Sequence, residues 1–200
     1  AVDAWTDDQL HGDPTIVGVE LVHVAPPRDG GVFALSLGGR EHQLTLTAAE
    51  TLLGARVFRG DLMGVPRAVT IAVDVHGLAA GHIETPSAAY SLAPTVVPGI
   101  HALFEHDPEV GQDLGVCSVV PVWDDVVEVV TPAPDGVSEI DVCAFYTPRA
   151  RDGAGGTAAM QVALAARIAM VNTAALNSQV DHTMRLVATM ETAYVEVGTN

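Results

Sequence analysis

Residues 139–191 read EIDVCAFYTPRARDGAGGTAAMQVALAARIAMVNTAALNSQVDHTMRLVATME, and this stretch decides the fold of the C-terminal part of the chain. Its first segment, from Ile140 to Tyr146, is largely apolar at both odd and even positions. A strand with two apolar faces is typical of the middle of a sheet that is covered on both sides. We therefore expect a buried central strand here, and it should end just before Pro148.

A helix and a second strand follow. A glycine-rich turn at residues 153–156 precedes Thr157, the expected N-cap of an alanine-rich helix that ends near Leu176. Alternation from 180 to 190 predicts another strand, so the order predicts a βαβ unit with parallel strands. Its sheet would need further strands, which predicts that the natural polypeptide continues beyond Asn200. Spacing of three and four residues predicts a buried helix face made of Met160, Leu164, Ile168 or Arg167, Val171 and Ala175.

The residues up to about 110 have a different pattern. Short runs of alternating apolar residues are separated by glycine and proline, and no run has the length and period of a long helix. Gly38 and Gly39 lie between two such runs, which indicates a hairpin. The sequence therefore predicts an α+β protein: an antiparallel β-rich domain, either a sandwich or a curved sheet, followed by an incomplete βαβ unit. The runs are TIVGVELVHVA, GVFALSLGG, HQLTLTAA, ARVFRG, AVTIAVDVHGLAAGHIET, AAYSLAPTV and GIHALFEHD.

A connector separates the two parts. Residues 131–138 read TPAPDGVS, and the prolines at 132 and 134 disfavour both a helix and a central strand. We expect an extended, exposed linker there. The predicted organisation is a β-rich domain at 1–130, a linker at 131–138 and the start of a second domain at 139–200.

The composition limits the classes of function. Of the 200 residues, 48% are hydrophobic, which is enough for a packed core. A formal net charge of -16 argues against nucleic acid as a partner, because phosphates are bound by lysine and arginine patches. Polar residues interrupt the apolar run at 156–176, so we expect no transmembrane helix and no membrane partner. The chain starts with Ala1 and no apolar leader follows, which allows secretion.

The histidines do not form a known metal-binding motif. His101 and His106 occur in HALFEH, whose spacing is neither HExxH nor HxxEH, and an offset of five residues in a strand points them to opposite faces. His76 and His82 flank a turn, where exposed side chains are expected. His182 alternates with apolar residues, so a core histidine is expected there.

Other familiar catalytic patterns are absent from the sequence. Asp124 and Asp125 are adjacent, so in a strand they face opposite ways and are expected to be solvated. GxSxG, the phosphate loop GxxxxGK[ST] and the dinucleotide motif GxGxxG do not occur.

The two cysteines allow three interpretations. Cys117 and Cys143 could form a disulfide, or they could remain free thiols. Cys117 lies between the β-rich part and the connector, so its thiolate could instead reach a metal in a neighbouring domain.

The chain from about residue 33 to residue 200 resembles the reprolysin-like (adamalysin-type) metzincin metalloproteases. In the second part, the shared features are a first strand ending in YTP, a glycine-rich turn, a long helix with Asn172, an NS turn at 177–178 and a strand containing RLV. In the first part, the segments FRG, AVTIAVDVHGLAAGHI, AAYSLAP and HALFEHD are similar to the propeptide of that family. Cysteines typical of animal propeptides are missing near VTIAVDVHGL, which suggests a bacterial form.

The resemblance implies a secreted zinc metalloendopeptidase zymogen, of which this chain is the propeptide and the start of the catalytic domain. The family holds zinc with HExxHxxGxxH, which does not occur here, so no catalytic residue is carried onto this chain and the chain alone is expected to be inactive. Cys117 is the nearest candidate for the family's inhibitory cysteine on zinc. The implied partners are the protein's own catalytic domain and peptide or protein substrates. The alternative is a non-catalytic secreted β-rich binding or inhibitor module.

Overall fold

The computed structural model describes residues 13–25, 27, 30–62, 64–107 and 138–194. The first part of these ranges forms strands and the second part a strand, two helices and a strand. In chain order the elements are β1 (Ile16–His23), β2 (Val32–Leu37), β3 (Arg40–Leu52), β4 (Ala55–Leu62), β5 (Val65–Val73), β6 (Ala79–Glu84), β7 (Ala89–Pro94), β8 (Ile100–His106), β9 (Ser138–Tyr146), α1 (Pro148–Gly153), α2 (Thr157–Asn177) and β10 (His182–Glu191).

Strands β1 to β8 form one antiparallel sheet in the order β1-β8-β7-β6-β5-β4-β3-β2. The predicted antiparallel β-rich domain is confirmed, and so is the hairpin, since Gly38 and Gly39 join β2 to β3 with φ of 56° and 73°. Only glycine adopts such angles without steric cost. The sheet is curled rather than split into a sandwich, because Phe33 of β2 and Leu103 of β8 belong to one packing cluster although their strands lie six positions apart in the order.

Large apolar side chains fill one face of this sheet. The alternation read from the sequence produces this face, because every second residue of a strand points the same way. We call this group the large-residue cluster: Phe33, Leu35, Leu37, Leu44, Leu46, Phe58, Leu62, Ala68, Val69, Ile71, Val73, Ala79, Ile83, Tyr90, Leu92 and Leu103.

In strand β5, residues 68–73 are buried at every position. Ile71 belongs to the large-residue cluster, whereas its neighbour Ala72 packs on the opposite face, beneath helix α2. Two-sided coverage therefore occurs in the eight-stranded sheet, at the uninterrupted run AVTIAV.

The predicted βαβ unit is confirmed, with β9 and β10 paired in parallel. The prediction that β9 is covered on both faces is wrong. Ile140 is 43% exposed and Phe145 is 60% exposed. The reason is that the parallel sheet has two strands in the described part of the chain, and of these two strands α2 packs mainly on β10.

Helix α2 buries a different face from the predicted one. Val171 is 39% exposed and Arg167 is exposed, whereas Ala165 and Ala169 are fully buried. Ala175 is the one residue common to both faces. The expected N-cap is also wrong: Gly156 occupies that position, and Thr157 is the first helical residue. The buried residues are Ala159, Val162, Ala165, Ala166, Ala169, Asn172, Thr173 and Ala175.

Two further observations concern the second part. By length and composition α2 could cross a membrane, but the core helix of a soluble protein passes the same test. The predicted linker at 131–138 lies outside the described residues except for Ser138, which begins β9.

Candidate functional site

Helix α2 lies on the face of the sheet opposite the large-residue cluster, and small side chains form both sides of the contact. Short side chains let a helix and a sheet approach closely, and such a contact depends on shape because it has no room for added volume. We call this contact the alanine junction: Ala55, Val57, Ala72 and Ala80 from the sheet, and Val162, Ala165, Ala166 and Ala169 from α2.

Polar bonds continue the junction towards the end of the helix. Arg59 of β4 donates from Nε to Thr173 Oγ1 of α2 at 3.0 Å and from Nη2 to Glu50 Oε1 at 2.6 Å. Thr173 donates to the Ala169 carbonyl at 2.9 Å, and its oxygen lies 3.3 Å from Thr70 Oγ1 of β5. Because the Thr173 proton is used by Ala169, Thr70 donates in the pair.

The C-terminal half of α2 is bonded to both sheets. Arg67 Nη1 of β5 donates to Asn177 Oδ1 at 2.8 Å. On the other side, the buried Asn172 amide donates to the Met184 carbonyl at 2.9 Å and accepts from the Met184 N–H at 2.7 Å. The helix therefore links the curled sheet to β10, and two asparagines that carry the family resemblance make these bonds.

The YTP segment starts helix α1. The Thr147 hydroxyl accepts from the Ala150 N–H at 3.1 Å, and Pro148 follows as the first helical residue. Threonine as N-cap and proline next to it are favoured at helix starts, because the cap satisfies a free N–H and proline has none. The Arg151 guanidinium then reaches both carboxylate oxygens of Glu191 at 3.0 Å, which holds α1 against the end of β10.

Four polar side chains form a continuous array where β1, β7 and β8 meet. Ser91 Oγ lies 2.7 Å from His106 Nε2, and His106 Nδ1 lies 2.9 Å from Thr15 Oγ1. Thr15 Oγ1 in turn donates to Asp13 Oδ1 at 2.7 Å, and the Thr15 N–H donates to the same oxygen at 2.9 Å. We call this group the Ser91–Asp13 array.

Electrostatics favour a neutral histidine beside an ionised carboxylate in this array. Burial lowers the pKa of His106; the Asp13 charge opposes that effect and His82 adds to it. The two hydrogen bonds from Thr15 lower the pKa of Asp13. At neutral pH the imidazole therefore has one bare nitrogen, and Asp13 can only accept hydrogen bonds.

A cavity of about 580 Å³ opens beside the array, between the sheet and the two helices. Phe104 and Met170 give it apolar walls, while Ser91, His106 and Asp13 line it with polar atoms. Arg149 of α1 and Arg167 of α2, both exposed, line the same cavity. The arrangement places a serine, a neutral histidine and two guanidinium groups around one space of small-molecule size.

The structure separates the histidines that the sequence analysis considered. His101 is 1% exposed, and its Nε2 accepts from the Ala79 N–H at 3.0 Å, whereas its Nδ1 has no partner within the described ranges. His76 is exposed and His82 lies 3.4 Å from Glu84, so these two are surface residues. His182, expected in a core, is half-buried at the start of β10.

The structure places one of the two cysteines. Cys143 is an exposed free thiol on β9, and Cys117, the predicted switch cysteine, lies outside the described residues, as do Asp124 and Asp125. No three His, Cys, Asp or Glu side chains in the described ranges are placed to hold a metal ion. The described residues therefore do not fit the zinc that the resemblance implies.

No motif in the sequence marks Ser91, Thr15 or Asp13. Ser91 pairs with Phe104, and His106 pairs with Ala89, so the serine and the histidine are diagonal neighbours on adjacent strands. Thr15 reaches His106 from a position 91 residues earlier in the chain. Because these residues are far apart in the sequence, no short motif contains them. The sequence shows only single polar residues in or next to strands that meet at one end of the sheet.

Comparison with known proteins adds no relative. No protein-family model matches the chain, and no curated protein and no solved structure is significantly similar to it.

Proposed function

We propose that this chain is the N-terminal portion of a secreted zinc metalloendopeptidase zymogen. In this proposal the curled sheet is the propeptide, which keeps the protease latent and assists its folding, and the βαβ unit begins the catalytic domain. The observation that carries the proposal is the alanine junction, where the sheet seats the one long helix of the βαβ unit. A propeptide that holds the first helix of its protease domain can both guide the folding of that domain and restrain it.

The contacts at the ends of α2 support this role. Arg59 and Arg67 of the sheet donate hydrogen bonds to Thr173 and Asn177 of the helix. Directional hydrogen bonds as well as apolar contacts therefore hold the helix on the sheet. The Arg59–Thr173 bond is partly buried and the Arg67–Asn177 bond is exposed, and such bonds fix orientation more than they add affinity. The sheet would therefore position the helix in one register.

The exposed side of the βαβ unit provides a surface for the rest of a catalytic domain. Phe145 on β9 and Met190 on β10 are register partners, so they lie side by side on one face of the parallel pair, and they are 60% and 55% exposed. Neighbouring exposed apolar side chains are typical of a surface that another part of a protein covers. In the proposal, the remaining strands and the zinc-binding helix of the protease lie against this surface.

Zinc in such a protease would polarise the water that attacks a peptide bond. Because the described residues do not fit a metal, its ligands are proposed to lie elsewhere in the parent protein. Cys117 remains the proposed inhibitory thiolate, and the proposed partners are the catalytic domain and its peptide substrates.

The decisive experiment is to read the encoding DNA past Asn200. We expect an HExxHxxGxxH motif in frame, followed by bound zinc and peptidase activity in the full-length product. A stop codon at the next position would overturn the proposal and leave the non-catalytic binding or inhibitor module.

Within a full-length zymogen, Ala169→Leu tests whether the junction restrains the protease. Ala169 is 0% exposed, so the larger side chain must push helix and sheet apart, and we expect higher peptidase activity before any cleavage of the propeptide. Ala174→Leu changes an exposed position of the same helix and should leave latency intact. Equal latency in both variants would contradict a role for the junction.

A further inference from the structure

We propose that Ser91 is a nucleophile that accepts an acyl group from small carboxylic esters, with His106 as its general base. This activity is independent of the proposed zymogen, because every group it requires lies in the sheet domain or lines the cavity beside it.

The direction of each hydrogen bond in the Ser91–Asp13 array follows from the ionised carboxylate at its Asp13 end. An ionised Asp13 carboxylate cannot donate, so Thr15 gives it its single hydroxyl proton. The Thr15 oxygen then accepts from His106, which requires the histidine proton to be on Nδ1. Nε2 is left bare, and it accepts the proton of Ser91 at 2.7 Å.

This arrangement meets the requirements for an activated serine. A serine hydroxyl is a weak nucleophile until an adjacent base takes its proton, and the base must be held in the right tautomer by a third group. Thr15 and Asp13 are the positioning residues here, since they fix the tautomer of His106 through the hydrogen bonds of the array. Ser91 and His106 are partly exposed, so a small molecule can reach them.

The cavity beside Ser91 indicates the class of substrate. Its apolar walls, Phe104 and Met170, suit a short acyl chain. The two guanidinium groups of Arg149 and Arg167 outnumber the one carboxylate in the lining, that of Asp13, so the cavity favours an ester whose alcohol carries a negative charge. A volume of about 580 Å³ is typical of a small-molecule site.

The chemistry balances with water as the one co-reactant. Ser91 Oγ forms a bond to the ester carbonyl carbon while its proton moves to His106 Nε2. The bond from that carbon to the alcohol oxygen then breaks, and the leaving alcohol takes the proton from Nε2. Water next attacks the acyl-serine with His106 again as base, which releases a carboxylic acid and restores the Ser91 hydroxyl.

The test incubates the full chain with p-nitrophenyl acetate and with its ring-carboxylated analogue. We expect release of the phenol, a preference for the carboxylated ester, and one acetyl group per molecule, mapped to Ser91 by peptide mass spectrometry. Because the sequence contains no lysine, Ala1, Cys117 and Cys143 are the main competing sites of acetylation. Acetylation confined to those three sites would overturn the proposal.

Variants separate the chemistry from the fold. Ser91→Ala should lower ester turnover by roughly 100-fold or more, whereas Ser87→Ala, an exposed serine in the same hairpin, should leave it unchanged. Thr15→Val removes the group that orients His106, and it should slow acetylation and change the midpoint of the pH–rate profile. Thermal unfolding confirms that each variant is folded. Equal turnover in the Ser91→Ala variant and the unmodified chain would refute the assignment.

Discussion

The two faces of the eight-stranded sheet are packed in different ways. The large-residue cluster contains phenylalanine, leucine, isoleucine and valine, and it arises from strands of one sheet. The alanine junction contains mostly alanine and joins that sheet to a helix from the other end of the chain. The first face draws its stability from the apolar area that it buries, whereas the second depends on how closely two surfaces fit.

The difference shows how the chain separates stability from assembly. A cluster of large side chains tolerates small adjustments but loses much energy when one side chain is removed. A junction of small side chains loses little stability when a side chain is shortened, but it has no room for a larger side chain. The two faces should therefore respond oppositely to truncation and to enlargement.

Truncation in the large-residue cluster should have the largest effect. Phe58 is 2% exposed, so Phe58→Ala should leave a cavity and lower the free energy of unfolding by about 3–5 kcal/mol. Chemical denaturation measures the change. Val75→Ala is the control, because Val75 is 87% exposed, and a comparable loss there would contradict the distinction.

Enlargement in the alanine junction should have the next largest effect. Ala165 is 0% exposed, and Ala165→Leu should lower the free energy of unfolding by about 1–3 kcal/mol because the helix must shift. Ala158→Leu, at an exposed position of the same helix, should change it by less than about 0.5 kcal/mol. If the two substitutions had equal effects, the junction would not be close-packed.

Low pH should lower the stability of both faces of the sheet through His101, which is buried, and His106, which is half-buried. Burial lowers the pKa of His101 and of His106 below the usual 6.5. As the pH falls below about 6.5, the unfolded chain binds protons that the folded chain does not, so stability declines by up to about 1.4 kcal/mol per pH unit for each histidine until the folded pKa is reached. Denaturation at a series of pH values measures this slope.

The variant His101→Gln should make that slope shallower. Glutamine can still accept from the Ala79 N–H but does not titrate. His76→Gln is the matched control, since His76 is exposed and lies in a turn. An unchanged slope in His101→Gln would assign the acid response to other groups.

Removal of the Arg59 ion pair should have the smallest effect. Arg59 and Glu50 side chains are 20% and 29% exposed, so solvent screens them only in part, and Arg59→Gln should lower the free energy of unfolding by about 1 kcal/mol. The loss should shrink when the same denaturation is repeated in high salt. A loss that does not depend on salt would point to packing of the arginine stem instead.

The sequence predicted the strands well, because alternation is a local property that each strand carries by itself. Strands β1 to β8 fall on the seven runs recognised in the sequence, of which the run at 68–85 contains both β5 and β6, and β9, α2 and β10 appear in the predicted order. The helix face could not be predicted in the same way. Hydrophobic spacing selects the largest residues, such as Met160 and Leu164, whereas the sheet accepts only the smallest ones.

Burial and the polar array depend on long-range structure. The patterns of β5 and β9 are similarly apolar, and coverage is decided by where α2 lies, which the sequence of neither strand specifies. Ser91 and His106 come from strands β7 and β8, and Thr15 from the turn that precedes β1, so their contact depends on register and sheet order. Each strand can be predicted from its own sequence, but a site that several strands form together cannot.

The position of β1 has a consequence for the order of folding. The other seven strands of this sheet pair with a neighbour in sequence, whereas β1 pairs with β8 across a loop of some 80 residues. Closure of a long loop costs chain entropy before its contacts form, so hairpins are expected to precede it. Thr15 and Asp13 enter the array only with β1, and Ser91 and His106 should therefore meet before the group that orients them arrives.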